Sequence, residues 1–256
     1  MNKKFDRNRG FADNEAYIIE GRNSVFEALR TGRTVDKILY AEGDNNLNHI
    51  IAAAKQAGAV VKKCDRKKLD FISTSGAHQG IIAFAAAHEY STVDDILKAA
   101  KDSGRPPLVV VCDEISDPHN LGAIIRSAEA AGAHGVIIPK RRNAGLSAVV
   151  AKVSSGALEH IPVARVSNIA ATLDELKKRG LWIYGTGLGA ASSSLYETDL
   201  RGAVAIVIGS EGDGMGRLVT ETCDVVMNIP MLGKTQSLNA SAAAAVVLFE
   251  VVRQRM

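Results

Sequence analysis

From Leu108 onward the chain carries five continuous apolar, β-rich runs, "LVVVCDE", "GVIIP", "LWIYGTG", "AVAIVIGS" and "DVVMNIPM". A strand with one wet face alternates apolar and polar residues, so runs without that alternation mark strands covered on both faces. Between them lie helical stretches such as "LGAIIRSAEAAG" and "NIAATLDELKKRG", each opening on polar residues and stopping at glycine. Strands and helices in alternation predict a mostly parallel sheet. The second part of the chain, 108–256, is therefore expected to be one α/β domain.

The earlier part has its own pattern. From Tyr17, a helix "RNSVFEALRTG", a strand "VDKILYA", a helix "LNHIIAAAKQAG" and strands at "AVVKKC" and "GIIAFAA" predict a small α/β domain over residues 17–89. Residues 1–16, polar and without periodicity, are expected to be a flexible tail. "STVDDILKAAKDSGRPP" is a short polar helix followed by prolines that cannot continue it, which places a linker over 90–107.

Composition narrows the function classes. The formal net charge is +3, which permits a polyanionic partner without requiring one. Three cysteines without C-x-x-C spacing fit reduced thiols, and six histidines without ligand spacing give no support for a metal. No leading apolar segment and no run approaching the ~20 apolar residues of a membrane span are present, so a cytoplasmic protein is expected.

Ligands of open α/β sheets gather outside the carboxyl ends of the strands. Three runs here end in irregular, glycine-bearing corners: "GTGLGA", "GSEGDGMG" and "IPMLGKTQSLNAS". If the corners converge, they form one pocket in which main-chain groups meet a polar small molecule. A dinucleotide site is the rival reading, but the G-x-G-x-G spacing of Gly185, Gly187 and Gly189 comes late in the domain and no clear helix follows it.

Three segments carry a resemblance. "DPHNLGAIIRSAEAAG", "IGSEGDGMG" and "IPMLGKTQSLNASAAAAVVLFE" resemble, in that order, the signature motifs of the SpoU (TrmH) family of RNA ribose 2′-O-methyltransferases, in the SPOUT superfamily. Residues 17–89 resemble the small ribosomal-protein-like RNA-binding domain found in the 23S rRNA guanosine 2′-O-methyltransferase branch. The resemblance implies an α/β fold with a deep trefoil knot, S-adenosylmethionine as methyl donor, and a homodimer packed through the knotted domains. It also implies methylation of RNA, with a guanosine of ribosomal RNA as the expected target. Transfer RNA as substrate, or a non-catalytic RNA-binding or ribosome-assembly protein of the same fold, are the alternatives.

Carried over by motif, the donor contacts fall on Thr186, Gly187, Gly189, Ile208, Gly209, Ile229, Met231, Ser237, Leu238 and Asn239. The active constellation falls on Asn120, Arg126, Glu211, Ser237 and Asn239. Arg126 lies off the apolar stripe of Leu121, Ile124, Ile125 and Ala128, so the core does not need it; pairing with Glu129 is its plain alternative. A guanidinium is very hard to deprotonate, which favours an electrostatic role over that of a base. Asn120, Ser237 and Asn239 each stand where they could also cap a helix. Ala240 takes a place where relatives commonly have valine, a change of packing and not of chemistry. RNA phosphates would meet the basic runs Lys62 and Lys63, Arg66 to Lys68, and Lys140 to Arg142.

Overall fold

The computed structural model describes residues 18–43, 45–187 and 192–256. The expected tail over 1–16 and the expected donor contact Gly189 lie outside the described residues. The chain divides into two units. One holds the chain as far as Glu89 together with Gly145–Ala151, and the other holds Tyr90–Ala144 and Lys152–Met256.

The first unit contains β1 (Ile18–Glu20), α1 (Arg22–Arg30), β2 (Val35–Ala41), α2 (Asn48–Gln56), β3 (Val60–Cys64), α3 (Arg66–Ile72) and β4 (Ile81–Ala85). Its sheet runs β1-β4-β2-β3, with β2 and β3 parallel and the other neighbours antiparallel. The pleat sends alternate residues to two small cores. Ile38, Ile81 and Ala83 meet Val25 of α1 and Ile50 of α2, while Leu39, Ala41 and Ile82 meet Leu69 of α3. The three-residue β1 and the seven-residue α3 were not foreseen. Each is too short to show a period, and α3 buries only Leu69.

The second unit comprises α4 (Val93–Ser103), β5 (Leu108–Cys112), α5 (Pro118–Ala130), β6 (Gly135–Pro139), the short α6 (Ala148–Val153) that straddles the division, β7 (Val163–Val166), α7 (Ile169–Lys178), β8 (Trp182–Thr186), β9 (Ser193–Ser194), β10 (Val204–Ile208), α8 (Arg217–Thr222), β11 (Val225–Asn228) and α9 (Ala240–Arg255). Its sheet has the order β7-β6-β5-β10-β8-β11-β9, and every neighbouring pair is parallel. β5 and β10, at the middle, are buried along their whole length, as their uninterrupted apolar runs require. On one face Val109, Val111, Ala205 and Val207 pack with Ile96 of α4 and Leu173 and Leu176 of α7. α5 and α9 pack against each other, and Ala240 and Ala244, one turn apart, are buried on α9.

The stretch read as a linker therefore belongs to the second unit. α4 begins with a capping box between Thr92 and Asp95, and its Ile96 and Ala100 are buried. A helix with so narrow an apolar stripe reads as solvent-facing until its partner surface is known. Among the described residues, no helix is long and apolar enough to cross a membrane.

Candidate active site

β8, β10 and β11 end at one cavity of about 430 Å³. Thr186 and Gly187 reach it from β8, Ile208 and Gly209 from β10, Ile229 and Met231 from the segment after β11, and Ser237 and Leu238 from the approach to α9. Three corners far apart in sequence thus converge. Their volume falls within the range of about 300–1,000 Å³ common for small-molecule sites. A second hollow of about 460 Å³, at Lys101, Arg105 and Arg179, also touches Pro107 and Leu181, at the opposite ends of the strands. The carboxyl-end cavity is the better ligand site for a parallel sheet.

The β10 corner is shaped by glycine. A Cβ on Gly209 would lie 2.4 Å from the carbonyl carbon of Gly214 and 2.5 Å from the Met215 nitrogen, so no other residue fits. The turn closes through Ser210 N–H to Gly214 O at 2.9 Å and Gly214 N–H to Ser210 O at 3.2 Å. Below it, the buried Asp113 accepts the Gly216 N–H at 2.7 Å and so ties this corner to the end of β5. Burial pushes the Asp113 pKa up and the Glu114 charge adds to this, against the pull of the Gly216 hydrogen bond. The sequence reading missed Asp113, although it stands just past the end of β5, where such sheets keep their functional groups.

Glu211 projects from this corner and collects three donors. Its Oε1 accepts from Asn120 Nδ2 at 2.8 Å, from Asn239 Nδ2, and from the Ala240 N–H at 3.3 Å. Asn239 Nδ2 also donates to Asn120 Oδ1 at 2.9 Å. Asn239 caps α9 as well, its Oδ1 accepting from the N–H groups of Ser241 at 3.0 Å and Ala242 at 3.2 Å. One carboxylate thereby locks the first turn of α5, the glycine corner and the start of the last helix. Glu211, Ser237 and Ala243 line the cavity itself.

Other expected residues sit elsewhere. Asn120 is not a cap: Asp117 caps α5, accepting the His119 N–H at 2.9 Å with Pro118 following it, so Asn120 falls inside the helix with its amide turned to Glu211. Ser237 makes no cap either; Asn239 holds that position. Arg126 is exposed on α5, donates to Ser155 Oγ at 3.4 Å instead of pairing with Glu129, and is not among the residues that line the cavity. Of the basic runs, Lys63 is paired with Glu42 at 2.7 Å and Arg142 with Glu114 at 3.0 Å.

The family described as SpoU rRNA Methylase matches residues 107–249, and the family described as RNA 2′-O ribose methyltransferase substrate binding matches residues 18–91. A TrmH family tRNA/rRNA methyltransferase of Bacillus subtilis is 48% identical over 241 residues, covering 93% of this chain and 96% of that protein. A Staphylococcus aureus protein of the same description is 46% identical over 244 residues, covering 94% and 97%. The crystal structure of an AdoMet-bound rRNA methyltransferase from Sinorhizobium meliloti is similar at 25% identity, with a TM-score of 0.59 over 97% of this chain and 96% of that one.

Proposed function

We propose, from the premise that this chain belongs to the SpoU methylase family and is an RNA methyltransferase, that it methylates the ribose 2′-hydroxyl of a guanosine in large-subunit ribosomal RNA. The observation that carries the reading is the Asn120–Glu211–Asn239 network at a cavity made by three strand ends. S-adenosylmethionine, the methyl donor of this family, supplies a methyl group on a sulfonium that is already a good leaving group. The cavity suits it: apolar walls at Ile208, Ile229 and Leu238 stand beside exposed main chain of the glycine corners.

What the protein must add is position and charge. Main-chain groups at Gly187, Gly209, Ile229, Met231 and Leu238 hold the donor, and Thr186 is fixed at that rim by donating its hydroxyl to Val207 O at 3.0 Å. Glu211, with Asn120 and Asn239, keeps the first turn of α5, the β10 corner and the start of α9 in register, and Ser237, on the cavity wall, meets the substrate ribose. Arg126 lowers the pKa of the attacking hydroxyl by its fixed positive charge and binds the neighbouring phosphate. Because Arg126 does not line the cavity of its own chain, the reading includes a homodimer in which each copy supplies Arg126 to the other's cavity.

The test is Arg126→Ala. S-adenosylhomocysteine binding by calorimetry stays near that of the parent protein, while radiolabelled methyl transfer to unmodified ribosomal RNA falls on the order of 10²–10³-fold. Near-normal turnover rejects the role. Coexpressed Arg126→Ala and Glu211→Ala chains regain activity if the arginine acts across a dimer and stay inactive if it acts within one chain. Mapping ribose methylation in ribosomal and transfer RNA, from cells with and without the protein, identifies the substrate.

A further inference from the structure

The turn that meets Arg126 is strained. Ser155 stands between α6 and the short turn Ala157–Glu159 with a φ of 51°, and Gly156 follows at 88°, so two successive residues occupy the left-handed region. Glycine enters that region freely, whereas a side chain there crowds its own backbone. Of this pair, Ser155 is the residue that is not glycine. The turn is held on both sides. Ser155 N–H donates to Lys152 O at 3.2 Å, and beyond it Ala157 and Leu158 are buried where their turn packs against α5. A strained residue in a fixed turn points to a use for its side chain.

The contacts of the hydroxyl show that use. Ser155 Oγ donates to Val153 O at 3.4 Å and accepts from Arg126 Nη1 at 3.4 Å, so the main chain orients the hydroxyl and leaves a lone pair for the guanidinium. Among the described residues no carboxylate pairs with Arg126, although Glu129 stands one turn along the same helix. The choice of acceptor matters chemically. A carboxylate would hold the guanidinium and cancel its charge, whereas a hydroxyl holds it and leaves the charge whole. One bond to serine restrains the planar fork and keeps its other N–H donors free for an anion. Arg126 is exposed on α5, so without this tether its long side chain would sample many rotamers.

We propose that Ser155 is a positioning residue for methyl transfer: its hydroxyl aims the Arg126 guanidinium at the substrate without neutralising it. The inference rests on the role argued above for Arg126 and adds what holds that side chain ready before RNA arrives. Ser155 is not among the residues that line the cavity, and it acts through Arg126.

The experiment is a double-mutant cycle on the full-length protein, read as radiolabelled methyl transfer to unmodified ribosomal RNA. Ser155→Gly removes the hydroxyl and relieves the backbone. Its urea midpoint therefore holds or rises and its S-adenosylhomocysteine affinity stays at the parent level, while kcat falls about tenfold. Ser155→Asp, a residue that tolerates the same backbone, pairs with the arginine and lowers kcat further, toward the level of Arg126→Ala. In an Arg126→Ala background, Ser155→Gly lowers turnover no further, because no guanidinium is left to aim. Parent-like kcat in Ser155→Gly, a Ser155→Asp protein more active than Ser155→Gly, or an equal further loss in the Arg126→Ala background overturns the proposal, as does a matching loss of S-adenosylhomocysteine affinity. If Arg126→Ala itself turns over like the parent, the role argued above for the arginine fails and this inference with it. If Arg126→Ala is impaired and Ser155→Gly is not, the positioning by Ser155 alone fails.

Discussion

In each unit a glutamate gathers hydrogen bonds from distant chain, Glu20 in the first and Glu211 in the second, and the two gather different things. Glu20, at the end of β1, takes hydroxyls and main-chain N–H groups from one short loop: Ser73 Oγ and Ser75 Oγ at 2.5 Å, Thr74 N at 2.7 Å and Thr74 Oγ1 at 2.9 Å. Burial alone would raise its pKa, but the bonds from Ser73, Ser75 and Thr74 outweigh burial and hold it down at about 2. Glu211 draws instead on side-chain amides from two helices and on the Ala240 N–H, joining segments 91 and 28 residues away. A carboxylate saturated by one loop fastens that loop. A carboxylate shared among three segments fixes the geometry of a site.

The contrast has measurable consequences, the largest at Glu211. Glu211→Ala removes the acceptor common to Asn120, Asn239 and Ala240, and methyl transfer falls on the order of 100-fold even under conditions where urea unfolding shows the variant to be fully folded. A variant that unfolds early but turns over normally once folded would make Glu211 a fastener like Glu20, and the distinction would collapse. Glu20→Gln gives the opposite profile. It loses about 2 kcal/mol of stability, the scale of hydrogen bonds to a charged group, with S-adenosylhomocysteine affinity unchanged.

The same variant sharpens the comparison through pH. Because the folded pKa of Glu20 lies below its ordinary value of 4.5, its stabilisation is complete above that value and is lost as pH falls toward about 2. Urea midpoints of the parent protein therefore drop over that window, and the Glu20→Gln curve is flatter there; parallel curves would rule out the assignment. The smallest effect is expected at Asp113, which holds one segment as Glu20 does but at the glycine corner after β10. Asp113→Ala weakens S-adenosylhomocysteine binding about tenfold, read by calorimetry, through the freed Gly216 N–H.

Much of this was legible beforehand. β5 and β10 announced themselves because a strand buried on both faces carries no polar alternation, and the glycine corners marked where β8, β10 and β11 stop. Asn239 was legible as a possible cap of the last helix, which it is, but its bond to Glu211 was not, since spacing says nothing of a bond across 28 residues, and Glu211 was legible only as a motif member. Asn120 was misread as a possible cap although Asp117-Pro118 carries the signal of a helix start, a cap followed by proline at the first helical position. α4 passed for a linker because its stripe of Ile96 and Ala100 is narrow.

What the sequence determined by itself was local and periodic: which runs become strands, where glycine must stand, which residue types gather at strand ends. Those properties depend on neighbours a few positions apart, whose geometry the backbone fixes. Tertiary structure decided the rest: that Glu211 meets two asparagines, that Asp113 grips the Gly216 corner, and that Lys63 pairs with Glu42. Hydrogen bonds and charges act through distances in space, and only the completed packing sets those.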